Sequence, residues 1–172
     1  MKANLAALLF SFLALVAPIR ATVLPDSCGA DKVKFDVKTS KSLSAPAAPA
    51  DGKALIVLIQ TENQIVSPFS GATIRFGMDG AWVGANNGNS YFTLAVDPGQ
   101  HHLCVSWQSV FPQLKRNVDL TSFTAEPGKT YYFAAAVDVV SREDVEFGLS
   151  AVNDDKGSYL VKASKVSTWT SK

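Results

Sequence analysis

Residues 90–108 read S-Y-F-T-L-A-V-D-P-G-Q-H-H-L-C-V-S-W-Q, and this stretch decides the fold class. Tyr91 to Val96 alternates strictly. Phe92, Leu94 and Val96 fall on one side, and Tyr91, Thr93 and Ala95 on the other, as successive side chains do along a strand. Asp97-Pro98-Gly99 turns the chain, and Gln100 to Gln108 resumes the alternation. There Leu103, Val105 and Trp107 share the core side, while His102, Cys104 and Ser106 share the opposite one. The parity predicts that Cys104 points away from the main core, toward whatever covers the outer face.

From Lys53 on, strand and turn signals recur every 8–14 residues, the pattern of an all-β sandwich or barrel. Leu55 to Ile59 is continuously apolar, which predicts a central strand covered on both faces. Thr61 to Ser70 is polar, contains Pro68 and reads as a loop. Ile74 and Phe76 oppose Thr73 and Arg75. Asp79-Gly80 reads as a tight hairpin turn, and Asn86-Asn87-Gly88-Asn89 as a turn cluster. Val118 to Ala125, Thr130 to Val140, and Val145 to Ala151 complete the strands, with Glu126-Pro127-Gly128-Lys129 and Arg142-Glu143-Asp144 as turns. The small run Ala134-Ala135-Ala136 predicts close approach of a neighbouring sheet or helix. Ser158 to Ala163 fits neither period well and is read as a short helix, with a last strand as the alternative. The expectation is an antiparallel β-sandwich of about 7–9 strands over residues 51–165, followed by a loose tail, 166–172.

The chain opens with Met1-Lys2, an apolar stretch from Leu5 to Ala17, then Pro18 and Ala21. This is the layout of a secretory signal peptide over residues 1–21, and the apolar stretch is shorter than the roughly 20 residues a membrane span needs. Residues 22–50 form an arm. It carries one alternating patch at Val33, Phe35 and Val37, read as an edge strand, and ends in the linker Ala45-Pro46-Ala47-Ala48-Pro49-Ala50. Two cysteines in an exported chain predict one bridge, Cys28–Cys104. With Cys104 on the outer face, that bridge would fasten the arm as a covering strand. The expected location is the periplasm or the cell exterior.

Three segments resemble a known group: Ala72 to Gly84 (A-T-I-R-F-G-M-D-G-A-W-V-G), Ser90 to Leu103 (S-Y-F-T-L-A-V-D-P-G-Q-H-H-L) and Ala125 to Phe133 (A-E-P-G-K-T-Y-Y-F). Together they resemble an exported bacterial domain-of-unknown-function family with a PEGA-like β-sandwich core, over roughly residues 52–165. The resemblance implies a small exported sandwich and no particular activity.

Charge and motifs argue against most chemistries. Without residues 1–21 the chain has 14 basic against 15 acidic residues, no footprint for nucleic acid. Lys32, Lys34, Lys38 and Lys41 give the arm a mild positive bias and read as solvated. His101 and His102, being adjacent on a strand, point to opposite faces and cannot serve one metal. Asp79, Asn86, Asn87 and Asn89 offer oxygen ligands without the acid density of a calcium loop. No nucleophile elbow or phosphate-binding glycine loop is present, so no enzyme activity and no cofactor is expected. What remains is an envelope interaction or structural module, its partner an unidentified protein or envelope component. The alternative is a small-ligand or carbohydrate-binding module that uses an exposed Trp82–Tyr91 pair across a hairpin.

Overall fold

Leu55 to Ile59 lies at the centre of the molecule, each residue 7% exposed or less. In the computed structural model, which describes residues 28–41, 46–62, 72–108, 118–139 and 145–172, this segment belongs to β2 (Ala54–Glu62). The other strands are β1 (Phe35–Lys41), β3 (Thr73–Met78), β4 (Ala81–Asn87), β5 (Ser90–Val96), β6 (Gly99–Gln108), β7 (Val118–Ala125), β8 (Thr130–Val139), β9 (Val145–Val152) and β10 (Lys165–Ser171). One helix, α1 (Asp154–Ala163), stands between β9 and β10. The expected signal segment, the start of the arm and the expected turn Arg142-Glu143-Asp144 lie outside the described residues; of the expected loop Thr61–Ser70, Thr61 and Glu62 belong to β2 and the rest lies outside them.

Two sheets face each other. The larger has the order β1-β10-β5-β2-β8-β9 and the smaller β4-β3-β6-β7. Their facing sides bury Ile56, Leu58, Phe92, Phe133 and Ala135 from one sheet against Ile74, Phe76, Leu103, Val105 and Trp107 from the other. The far side of β2 is covered as well. Leu55, Val57 and Ile59 pack with Tyr91 under Val161 and Leu160 of the helix. The apolar run of β2 therefore has a partner on each face, the arrangement that makes a continuous hydrophobic strand stable.

Four expectations are corrected. The described residues form ten strands, not seven to nine. The large sheet is mixed and not purely antiparallel, because β2 pairs with β8 and β10 with β5 in parallel. Residues 166–172 are no loose tail: β10 is an interior strand, bonded to β1 on one side and β5 on the other. The unit thus extends beyond 51–165 at both ends, since β1 from the arm closes the same sheet. Finally, the arm's strand does not cover a sheet face as the bridge suggests; it is an edge strand, as its alternating patch predicts, and it belongs to the larger sheet.

The segment 158–163 is helical because its local signals agree. The Asn153 side chain accepts a hydrogen bond from the Lys156 amide, capping the helix, and Asp154 and Asp155 occupy its first turn, where the helix dipole favours negative charge. Its inward side consists of Gly157, Leu160 and Val161. A Cβ on Gly157 would stand 2.2 Å from Cγ of Tyr132, so the missing side chain is what lets the helix reach the sheet. Tyr159 points outward and is 69% exposed. Among the described residues no helix is long and apolar enough to cross a membrane.

Candidate functional site

The arm reaches the smaller sheet through one covalent bond. Cys28 and Cys104 form a disulfide with a Cα–Cα distance of 5.0 Å, and both are fully buried. Cys104 lies on the outer face of β6, opposite to Leu103, Val105 and Trp107 in the core. Gly77 on β3 pairs with Cys104 across the ladder, and the Cys28 backbone passes directly over it. A Cβ on Gly77 would meet the Cys28 carbonyl oxygen at 2.2 Å.

Arg75, two residues along the same face, holds the next part of the arm. Its Nη1 donates to the carbonyl oxygens of Val33 (2.7 Å) and Asp31 (3.1 Å), and its Nη2 to Ser106 Oγ (3.0 Å). The guanidinium lies 4.4 Å from the centre of the Trp82 ring, a cation–π contact. Burial lowers the pKa of Arg75 from its ordinary value, and the charge of Asp31 works in the opposite direction. Trp82 Nε1 donates to the Ala30 carbonyl at 2.7 Å, so the indole is held by both the sheet and the arm.

These contacts build one wall of a groove of about 650 Å³. Ala30, Val33 and Phe35 come from the arm and β1, Trp82 from β4, and Trp169, Thr170 and Ser171 from β10. Trp169 is seated by close packing, its ring centre 4.5 Å from that of Phe92. A Cβ on Gly84 would come within 2.7 Å of both rings. Among the described residues that line the groove, no side chain is ionisable. The groove offers two indoles, an apolar wall and the hydroxyl of Ser171, which shares a side of β10 with Trp169; these groups suit binding and include neither a general base nor a nucleophile with a base beside it.

The expected Trp82–Tyr91 pair does not exist. Trp82 is on β4 of the smaller sheet, while Tyr91 is on β5 of the larger one, 3% exposed beneath the helix. The polar neighbour Thr93 suggested an outward side for Tyr91, and that side is outward only where the helix does not cover it. Trp169 takes the place beside Trp82. A loose tail over 166–172 leaves Trp169 out, although Val166, Thr168 and Thr170 alternate with Ser167, Trp169 and Ser171 as a strand should.

The histidine pair and the turn asparagines do not form a site either. His101 Nδ1 lies 2.6 Å from Asp79 Oδ2, and its Nε2 lies 2.8 Å from the Asp97 carbonyl oxygen. Both partners are acceptors, so both bonds are made only when both ring nitrogens carry a proton. Burial opposes the charge on His101, but these hydrogen bonds and the two carboxylates outweigh it and raise its pKa above the ordinary 6.5. Burial likewise opposes the charge on Asp79, and the bonds from His101 and the His102 amide outweigh it, holding its pKa below the ordinary 3.8. Asn86 faces the core, its side chain donating to the Leu58 carbonyl, so it and Asp79 do not converge.

The clamp between the Asp79-Gly80 and Asp97-Pro98-Gly99 turns therefore predicts a pH dependence. The raised His101 value adds stability below about pH 6.5 that is lost as pH rises through its folded value. The lowered Asp79 value adds stability above about pH 4 that is lost as pH falls through its own. The urea midpoint is expected to be higher near pH 5.5 than near pH 8.5, and Asp79→Asn is expected to shrink that difference. A difference unchanged in Asp79→Asn would refute the assignment.

No family model matches the chain, and a search among curated proteins returns no match.

Proposed function

We propose that the protein is an exported, non-enzymatic interaction module of the cell envelope, akin to the PEGA-like sandwiches its turn motifs resemble, and that it holds its partner in the Trp82–Trp169 groove. The observation that carries this reading is the groove itself: two tryptophans from different sheets, on an apolar wall fastened by a disulfide, with no ionisable side chain among the described lining residues. A single bridge that closes a long loop suits an oxidising compartment, and the apolar start of the chain suits export.

The test is retention of solubilised envelope components by the immobilised mature protein, compared with Trp82→Ala and Trp169→Ala variants of unchanged circular dichroism. A component kept by the native protein and lost by both variants is expected. Identical retention by all three would overturn the groove as the contact surface.

The lining favours one second reading, a small neutral ligand such as a sugar ring, with Ser171 as a hydrogen-bonding hydroxyl beside the indoles. A saturable shift of tryptophan fluorescence with neutral oligosaccharides, weakened by Trp169→Ala, would support it. No shift across such a panel would count against it.

A further inference from the structure

β1, one of the two edge strands of the larger sheet, presents backbone that no other described residue uses. Lys34 and Lys172 exchange both of their N–H···O bonds, which sets the phase of the antiparallel β1–β10 ladder. Bonded and non-bonded pairs alternate along such a ladder. Asp36, Lys38 and Ser40 therefore turn their backbone groups toward β10, while Phe35, Val37 and Thr39 turn theirs away. At Phe35 these groups are taken. Its N–H donates to Gln108 Oε1 at 2.7 Å, and its carbonyl accepts from Gln108 Nε2 at 2.9 Å. The carboxamide there does the work of a neighbouring strand. Val37 and Thr39 have no such partner among the described residues.

The charge along this edge is net positive, with Asp36 between Lys34 and Lys38 on one side of the strand. Residues 31–41 and 165–172 contain six lysines and two aspartates, whereas the chain without residues 1–21 has a small acidic excess. Asp36 is paired with Lys172. Lys34 and Lys38 are exposed on the outward side of β1 and make no ion pair among the described residues. Strand alternation places an added strand's side chains beside them at every second position.

We propose that β1 is a docking edge for an extended acidic segment of a partner protein, which joins the larger sheet as a further strand. The backbone of Val37 and Thr39 supplies the hydrogen bonds, and Lys34 and Lys38 receive the acidic side chains. This is strand addition, in which main-chain bonds give affinity and alternate side chains give specificity. The surface is separate from the groove, since neither Val37 nor Thr39 lines it. Its test is therefore independent of the groove variants.

The probe is a fluorescein-labelled peptide alternating glutamate and threonine over about eight residues, a usual strand length. Fluorescence anisotropy follows its binding to the oxidised mature protein. Saturable binding is expected, weakened on the order of tenfold by Lys34→Glu with Lys38→Glu and steeply dependent on salt. Val37→Pro is expected to weaken it as much, because the lost N–H points away from β10 and the β1–β10 ladder keeps its bonds. A peptide of the same charge with alternate backbone nitrogens methylated is expected not to bind, a comparison that needs no protein variant. Equal binding of the methylated peptide would overturn strand addition in favour of a general anion patch, as would indifference to Val37→Pro combined with binding of oligothymidylate or phosphatidylglycerol vesicles. Failure of the unmethylated peptide to bind would also overturn it.

Discussion

Replacing both Cys28 and Cys104 with alanine is expected to lower the stability of the protein by up to about 4 kcal/mol, the loop-entropy value for a closed loop of this length. The bridge spans a sequence separation of 76 residues, so it removes a large set of open conformations from the unfolded chain. The loss should fall somewhat short of the full value. Arg75 still bonds the carbonyls of Asp31 and Val33, and β1 still pairs with β10, so part of the arm stays in place without the bond. For a domain of this size the change corresponds to a fall in thermal midpoint of roughly 10 °C. Equal midpoints for the native and doubly substituted proteins would mean that the arm contributes nothing through its covalent tie.

Gly77→Ala is expected to be nearly as damaging, at about 2–3 kcal/mol, through overpacking. The added Cβ would meet the carbonyl oxygen, carbonyl carbon and Cα of Cys28 at 2.2 to 2.8 Å. These are backbone atoms, and the disulfide to the residue that pairs with Gly77 pins them in place. The arm cannot step aside while that bond is intact. In the variant lacking both cysteines it can, so Gly77→Ala should cost at least about 1 kcal/mol less there. Denaturant unfolding of the four proteins in this cycle measures the coupling. Equal costs in both backgrounds would place the strain away from the arm.

The sequence was legible where a signal was local and strong. The unbroken Leu55–Ile59 run announced a strand covered on both sides, and the parity of Leu103, Val105 and Trp107 against Cys104 correctly placed the sulfur on the outer face. Asp79-Gly80 is the turn of the β3–β4 hairpin, with Asp79 at φ 51° and Gly80 at φ 87°, as a two-residue connection of this kind requires.

Legibility ended where pairing is distant in sequence. The parallel neighbours β2–β8 and β10–β5 leave no trace in local alternation, so a mixed sheet looks like an antiparallel one. Tyr91 sits on the side of β5 that carries Thr93 and Ala95, and only the position of α1 decides that Tyr91 is buried while Thr93 is exposed. The helix itself was half hidden, because it approaches Tyr132 of the sheet through Gly157, which no hydrophobic pattern registers. The groove was hidden for the same reason: Trp82 and Trp169 are brought together by the crossing of β4 with β10 and the return of the arm. Of its two indoles only Trp82 stood out in the sequence.

The account depends most on the arm being fastened across the smaller sheet, since that arm is one wall of the groove. The direct measurement is the mass of the protein after alkylation under denaturing conditions, with and without prior reduction. The chain has two cysteines, so the account predicts no alkyl group without reductant and two after reduction. Two alkyl groups without reductant would contradict the fastened arm, and with it the groove as a preformed site.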